Sequence, residues 1–366
     1  MVKTSVHQLH QHGQSSWLDF IDRGIMASGE LKRLVEEMGI RGVTSNPAIF
    51  EKAITSSNDY KDDINRLSGH DLSEEDIFYQ MAVEDIRRAA DILTPLYEET
   101  GGADGYVSLE VSPHLANNRE ATAGQAFELW KSLRRPNAMI KIPGTTAALT
   151  AIRRATREGI NTNVTLLFDI NRYEEITDAY LSGLEDRLKN GQPIDHVAAV
   201  ASFFLSRIDV LIDPILEKKG LGQLKGMVAI AAAKKAYAIY QRVFSGSRFK
   251  KLEEKGARPQ RLLWASTGSK DPSFSDVKYV EALVGENTVN TLTMDTLLAF
   301  IDHGKVKDTL QQGLQKAEQV FEQVKAAGIS MEALASQLET AGIQKFIQAY
   351  DQLLKAIAQQ QKKVKA

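Results

Sequence analysis

The 366-residue chain is 43% hydrophobic, enough apolar material for a large buried core in one domain or two. Its 45 basic and 47 acidic residues are spread along the chain and leave a formal charge of -2, which gives no electrostatic footprint for nucleic acid or an anionic membrane. The absence of cysteine excludes disulfides, thiolate metal sites and cysteine nucleophiles, and is compatible with a reducing, cytoplasmic setting.

The segment Met1 to Ser16 is polar, lacks the apolar core of a signal peptide and reads as a solvated tail. Its His7, His10 and His12 have no carboxylate-rich cluster beside them, so no metal site is expected there. Short β-rich apolar runs then alternate with longer amphipathic segments. The first two runs are Trp17 to Phe20 and Gly42 to Ser45. Ser73, with Asp76 three residues later, starts a helix whose apolar face is Ile77, Met81, Ile86, Leu93 and Tyr97. Runs at Tyr106 to Val111 and Ala138 to Ile142 follow, then a helix from near Thr145 to a C-cap at Gly159. Asn163 to Phe168 is the fifth run. A helix over Ile170 to Asn190 ends before Gly191, and Val197 to Phe204 is the sixth run. Gly226 to Phe244 is alanine-rich and helical, and Leu262 to Ser266 and Thr288 to Leu292 complete the strands. From Val306 onward the pattern is helical, with separations near Gly328 and Gly342, and Gln359 to Lys363 reads as a frayed, solvated end.

Eight alternating units predict an α/β fold, a (β/α)₈ TIM barrel with additional N- and C-terminal helices. The barrel is expected over about 15–304, with helices of about 305–366 docked on it. No linker rich in proline, glycine or serine divides the chain, so a single domain over 1–366 is the simplest reading. No apolar run approaches the roughly 18 residues that a membrane helix needs.

The most informative stretch is Ala138-Met-Ile-Lys-Ile-Pro-Gly-Thr145, which sets Lys141 inside an apolar run. Burial disfavours the ammonium form, so such a lysine can serve as the neutral amine that attacks a carbonyl to form a Schiff base. Alternatively, Lys141 lies near the strand end and snorkels to solvent. Chemistry in such barrels sits at the carboxyl ends of the strands. There the runs offer Asp19, Thr44 and Asn46, Glu110, Lys141, Asn163 and Thr165, Ser202, and Ser266 in turn. Each has a local explanation: Asn46 before Pro47 suits a turn, Asn163 and Thr165 suit a solvated loop, and Ser202 suits a local hydrogen bond. Together they would leave buried polar groups unsatisfied unless they met around a polar ligand. Lys141, Glu110 and Asp19 also fit one chemistry. Schiff-base formation needs a proton shuttle to expel water, and carbon-carbon cleavage needs a base for a substrate hydroxyl. The protonated imine is itself the electron sink, so no metal or other cofactor is required.

The strings Gly42-Val-Thr-Ser-Asn-Pro-Ala-Ile-Phe50, Ser108-Leu-Glu-Val111, Met139-Ile-Lys-Ile-Pro-Gly144 and Asn161-Thr-Asn-Val-Thr-Leu-Leu-Phe168 resemble the transaldolase family, in order and from the first strand to the terminal helices. The resemblance implies a class I aldolase-type barrel that moves a dihydroxyacetone unit between sugar phosphates in the non-oxidative pentose phosphate pathway. Donors would be sedoheptulose 7-phosphate or fructose 6-phosphate, and acceptors glyceraldehyde 3-phosphate or erythrose 4-phosphate. By position, Lys141 matches the Schiff-base lysine, Glu110 an acid/base carboxylate acting through a water, and Thr165 the hydroxyl holding that water. Asp19 matches the base for the donor C4 hydroxyl. Asn46 and Asn163 match amides that orient substrate hydroxyls, Thr44 lies beside Asn46, and Phe204 matches an aromatic that shapes the pocket. Ser202 and Arg207 match a phosphate-binding serine and arginine.

One departure stands out. Many members place an arginine two residues beyond the serine matched by Ser266, where this chain has Gly268; Lys270 in the same loop is the expected substitute. Two rival readings are a fructose 6-phosphate aldolase that releases free dihydroxyacetone, and a non-catalytic barrel kept as a binding module. Glu110 and Phe204 favour the transferase over the first, and the intact set of chemical residues argues against the second. The family includes monomers and homodimers, and the sequence does not choose between them.

Overall fold

The computed structural model describes residues 4–365. Eight parallel strands form a closed barrel in chain order: β1 (Gln14–Asp19), β2 (Ile40–Thr44), β3 (Tyr106–Glu110), β4 (Ala138–Pro143), β5 (Thr162–Leu167), β6 (Ala199–Phe204), β7 (Arg261–Ala265) and β8 (Thr288–Leu292). β1 pairs with both β2 and β8, which closes the ring. Every predicted apolar run lies on one of these strands. β1 begins earlier than predicted because Gln14, Ser15 and Ser16, polar in sequence, are buried at the barrel floor. The large Trp17 indole fits inside because its register partner is Gly42: a Cβ there would come within 2.5 Å of the ring.

The outer helices follow the predicted periodicities. The Ser73–Asp76 capping box opens helix Glu74–Glu99, which buries Ile77, Met81, Ile86 and Leu93. The helix expected near Thr145 starts later and spans Leu149–Arg157, because Thr145 is spent on a turn: its hydroxyl donates to Ala116 O and accepts from Ala148 N. Helices Ile170–Lys189 and Val228–Phe244 match their predictions closely. Among the described residues no helix is long and apolar enough to cross a membrane.

Three expectations about the ends are corrected. The amino-terminal segment is not a solvated tail. It forms helix Ser5–Gln11, opened by a Thr4–His7 capping box, and buries Val6 and Leu9 completely. Ser5 Oγ donates to Phe300 O at 2.5 Å and His12 pairs with Asp308 at 2.6 Å, which ties this helix down. At the other end, helices Leu314–Ala326 and Met331–Lys365 are separated at Gly328, as expected, but the second runs unbroken through Gly342. Gly342 is there for close approach: a Cβ on it would sit 3.1 Å from Leu166 Cδ2 and 3.6 Å from Arg207 Nη1. This terminal helix packs along helices Pro47–Ser56 and Lys61–Ser68 and crosses the end of β5. Its end does not fray, since Gln361 is buried and Gln360 donates to Asn65 at 3.0 Å.

At the amino end of the barrel, Asp104 is 3% exposed and fully engaged. It accepts from Ser15 Oγ at 2.7 and 2.9 Å, from Arg41 Nε at 2.6 Å and from Arg261 Nη2 at 3.2 Å. Burial alone would raise its carboxyl, but the Arg261 and Arg41 guanidiniums outweigh it and hold the group below the usual carboxylate range.

Candidate active site

At the opposite end, a cavity of about 600 Å³ opens above the carboxyl ends of the strands. Its walls include Asp19, Thr44, Asn46, Lys141, Ser202, Phe204, Arg207, Ser266 and Lys270 of the predicted set. Glu110, Asn163 and Thr165 are not in the wall; they lie buried in the strands. Strand register explains how they meet, since Glu110 pairs with Lys141 across β3 and β4, and Lys141 with Asn163 across β4 and β5.

Lys141 does not snorkel to solvent. It is 4% exposed, and its Nζ donates to Ser45 O at 3.1 Å and lies 3.9 Å from Glu110 Oε2. Glu110 is 5% exposed, and among the described residues neither of its carboxyl oxygens has a hydrogen-bond partner; Thr165 Oγ1 is likewise buried and without one. Burial, opposed by the Lys141 charge and reinforced by that of Asp19, pushes the Glu110 carboxyl up to about 7. A buried acid titrating near neutrality can both give and take a proton.

The amides and hydroxyls form two separate networks. Asn163 is engaged at both amide atoms: its Oδ1 accepts from Ser202 Oγ at 2.7 Å and its Nδ2 donates to Ser108 Oγ at 3.1 Å. On the other side, Thr44 Oγ1 donates to Asp19 Oδ1 at 2.7 Å and meets Thr291 Oγ1 at 2.9 Å. Asn46 does both jobs that its position suggested. Its Oδ1 caps helix Pro47–Ser56 by accepting from Ile49 N at 3.0 Å, while the residue lines the cavity.

The outer wall is basic. Arg207 stacks over Phe204 with its Cζ 5.1 Å from the ring centroid, and its Nη1 is buried with no hydrogen-bond partner among the described residues. Burial lowers the Arg207 guanidinium from its usual range, opposed by Asp19. Phe204 in turn packs on Phe168 at 5.5 Å. Ser266 shares a 2.8 Å hydrogen bond with Ser206, and Lys270 is exposed at the rim. Two non-glycine residues here have left-handed backbones, Leu166 at φ 61° and Ser266 at φ 54°. Each such residue costs about 1–2 kcal/mol. At Leu166 the twist coincides with a register slip between β5 and β6, and it turns the chain toward the terminal helix.

Sequence reasoning missed two sources of the wall. Thr291 brings β8, the one strand to which no polar group had been assigned, into contact with Thr44. The terminal helix adds Leu338, Ala341, Gly342, Lys345 and Phe346. The signal was present, because positions 338, 341, 342, 345 and 346 repeat at helical spacing on one face; nothing in the chain said that this face looks into the barrel mouth.

The sequence matches the family described as Transaldolase/Fructose-6-phosphate aldolase over residues 16–357. It is 45% identical over 359 residues to a protein named Transaldolase from Saccharopolyspora erythraea, with 98% of each chain covered. A Transaldolase from Trichodesmium erythraeum is 43% identical over 377 residues, with 100% of this chain and 99% of that relative covered. A Transaldolase 2 from Nostoc sp. is 44% identical over 364 residues, with 96% of each covered.

Proposed function

Because the chain belongs to the transaldolase/fructose-6-phosphate aldolase family, we propose that it is a transaldolase. It transfers a dihydroxyacetone unit from sedoheptulose 7-phosphate to glyceraldehyde 3-phosphate, giving erythrose 4-phosphate and fructose 6-phosphate. The observation that carries this reading is the buried Lys141 amine on the cavity wall, 3.9 Å from a carboxyl that accepts no hydrogen bond among the described residues.

Lys141 Nζ adds to the C2 carbonyl of the ketose phosphate. Glu110, through a water held by Thr165, protonates the departing C2 hydroxyl so that water leaves and the protonated imine remains. A carboxyl titrating near 7 suits that two-way traffic. Asp19 takes the proton of the donor C4 hydroxyl, the C3–C4 bond breaks, and its electron pair moves into the imine to give the enamine while the aldose phosphate departs. The enamine then attacks the acceptor aldehyde, and the steps reverse to release the new ketose and the free lysine. Thr44, itself bonded to Thr291, holds Asp19 in place for this; Asn46 orients substrate hydroxyls, and Asn163 acts from behind the wall by holding Ser202. Arg207 grips the phosphate, with Ser202 and Ser266 beside it and Lys270 adding charge from the Gly268 loop. The chemistry uses the imine as electron sink and calls for no cofactor.

This reading takes the whole chain as one domain, since the terminal helix completes the cavity that the barrel begins. Phosphorylated sugars as substrates are the reason to place the enzyme in the cytoplasm. Borohydride reduction in the presence of fructose 6-phosphate, followed by peptide mass mapping, tests the mechanism. A three-carbon adduct on Lys141 that is absent from Lys141→Met is expected, and no adduct on folded protein would overturn the reading. Release of free dihydroxyacetone at the rate of donor cleavage would instead identify a fructose 6-phosphate aldolase.

A further inference from the structure

The cavity wall is unevenly charged. Asp19 is the sole carboxylate among the lining residues, against Lys141, Arg207, Lys270 and Lys345. Asp19 belongs to the inner floor through its hydrogen bond to Thr44, so the charged side chains of the outer wall are cations. Arg207 presents a buried Nη1 with no hydrogen-bond partner among the described residues, a donor that an anion would satisfy. Lys345, from a helix more than a hundred residues further along the chain, lines the same cavity and makes no hydrogen bond or ion pair among the described residues.

The backbone explains why Lys345 stands there. Gly342 brings the terminal helix against Leu166 and Arg207: a methyl group there would crowd Leu166 Cδ2 at 3.1 Å and stand in ordinary contact, at 3.6 Å, with Arg207 Nη1. Lys345 is three residues on, so it shares that face one turn later. Leu338 and Phe346 on the same face also reach the cavity, which fixes the rotation of the helix about its axis.

We propose that Lys345 binds the substrate phosphate together with Arg207, so that the terminal helix is a working wall of the sugar-phosphate site. The assignment rests on the transaldolase reading for its substrate class. A lysine serves there as a mobile point charge, complementing the fixed fork of the arginine. The position also makes the site sensitive to how the terminal helix seats, because its cation and its closest backbone approach lie one turn apart.

The test begins with binding, independent of turnover. Calorimetry with inorganic phosphate and with fructose 6-phosphate should show affinity weakened about tenfold in Lys345→Ala, the scale of one lost charge-assisted contact. Lys345→Arg should retain binding, and Lys355→Ala, an exposed lysine outside the cavity, should match the parent. In turnover, Lys345→Ala should raise KM for fructose 6-phosphate about tenfold with kcat little changed, and leave KM for unphosphorylated fructose where it was. Phosphate binding unchanged in Lys345→Ala, or an equal loss for fructose and its phosphate, would overturn the proposal. If phosphate binds through Lys345 but the protein transfers no dihydroxyacetone unit, the transaldolase reading fails while this assignment stands.

Discussion

Two carboxyl groups, almost equally buried, sit near opposite ends of the same barrel and behave in opposite ways. Asp104, at the amino end, has Ser15, Arg41 and Arg261 around it and is held below the usual carboxylate range. Glu110, at the carboxyl end, accepts no hydrogen bond at either oxygen among the described residues and is pushed up to about 7. Burial acts on both in the same sense, so the contrast comes from the partners. A satisfied buried charge ties strands together, whereas an unsatisfied one holds free energy in reserve for a reacting partner. The amino end of the barrel is thus built for cohesion and the carboxyl end for chemistry.

The sharpest way to test that division is Lys141→Met, which should abolish transfer, by on the order of 10⁴-fold or more, while calorimetric melting shows a folded protein at least as stable as the parent. Glu110→Gln should cost kcat on the order of 10²–10⁴-fold and remove the ionisation near 7 from the pH profile of kcat/KM. The two carboxyls also predict opposite stability slopes. For Glu110 the folded value is raised, so its contribution is complete below about 4.5 and is lost as pH climbs through about 7. Urea titrations from pH 5 to 8 should therefore fall less steeply for Glu110→Gln than for the parent. For Asp104 the folded value is lowered, so its contribution is present above the unfolded value of 3.8 and is lost as pH falls through the folded one.

Asp104→Asn breaks the comparison from the other side. It strands Arg41 and Arg261 at the barrel floor and should destabilise the protein by about 3–5 kcal/mol in denaturant titrations, yet leave kcat within twofold at temperatures where it is folded. A large loss of kcat in folded Asp104→Asn would erase the distinction between the two ends. The smallest effect belongs to Lys270→Ala, where removal of an exposed charge should raise KM for phosphorylated donors by about two- to fivefold. Unchanged Michaelis constants there would remove Lys270 from the phosphate site.

The eight strands were legible because each is a short apolar run between amphipathic helices, and a parallel sheet buried on both faces leaves just that trace. Ser73 and Asp76 announced their helix for an equally local reason. Locality also marks where the reading stopped. Thr4 and His7 form the same kind of box, but a polar run with two buried side chains, Val6 and Leu9, looks like a tail until the rest of the barrel covers it. Gly342 has the composition of a helix break, and only its contact with Leu166 and Arg207 shows it to be a point of approach.

The candidate site divides along the same line. Lys141, Glu110, Asp19 and the flanking amides could be picked out from their place in or just after apolar runs, because strand ends are where such barrels carry polar groups. That Glu110 accepts no hydrogen bond among the described residues, that Asn163 is held by Ser202 and Ser108, and that Thr291 and Lys345 join the wall depend on register and helix docking. Residue type and period are properties of a few neighbours along the chain. Which charges are satisfied is decided between segments as far apart as Arg207 and Gly342, and such distances close only when the barrel and its terminal helix pack together.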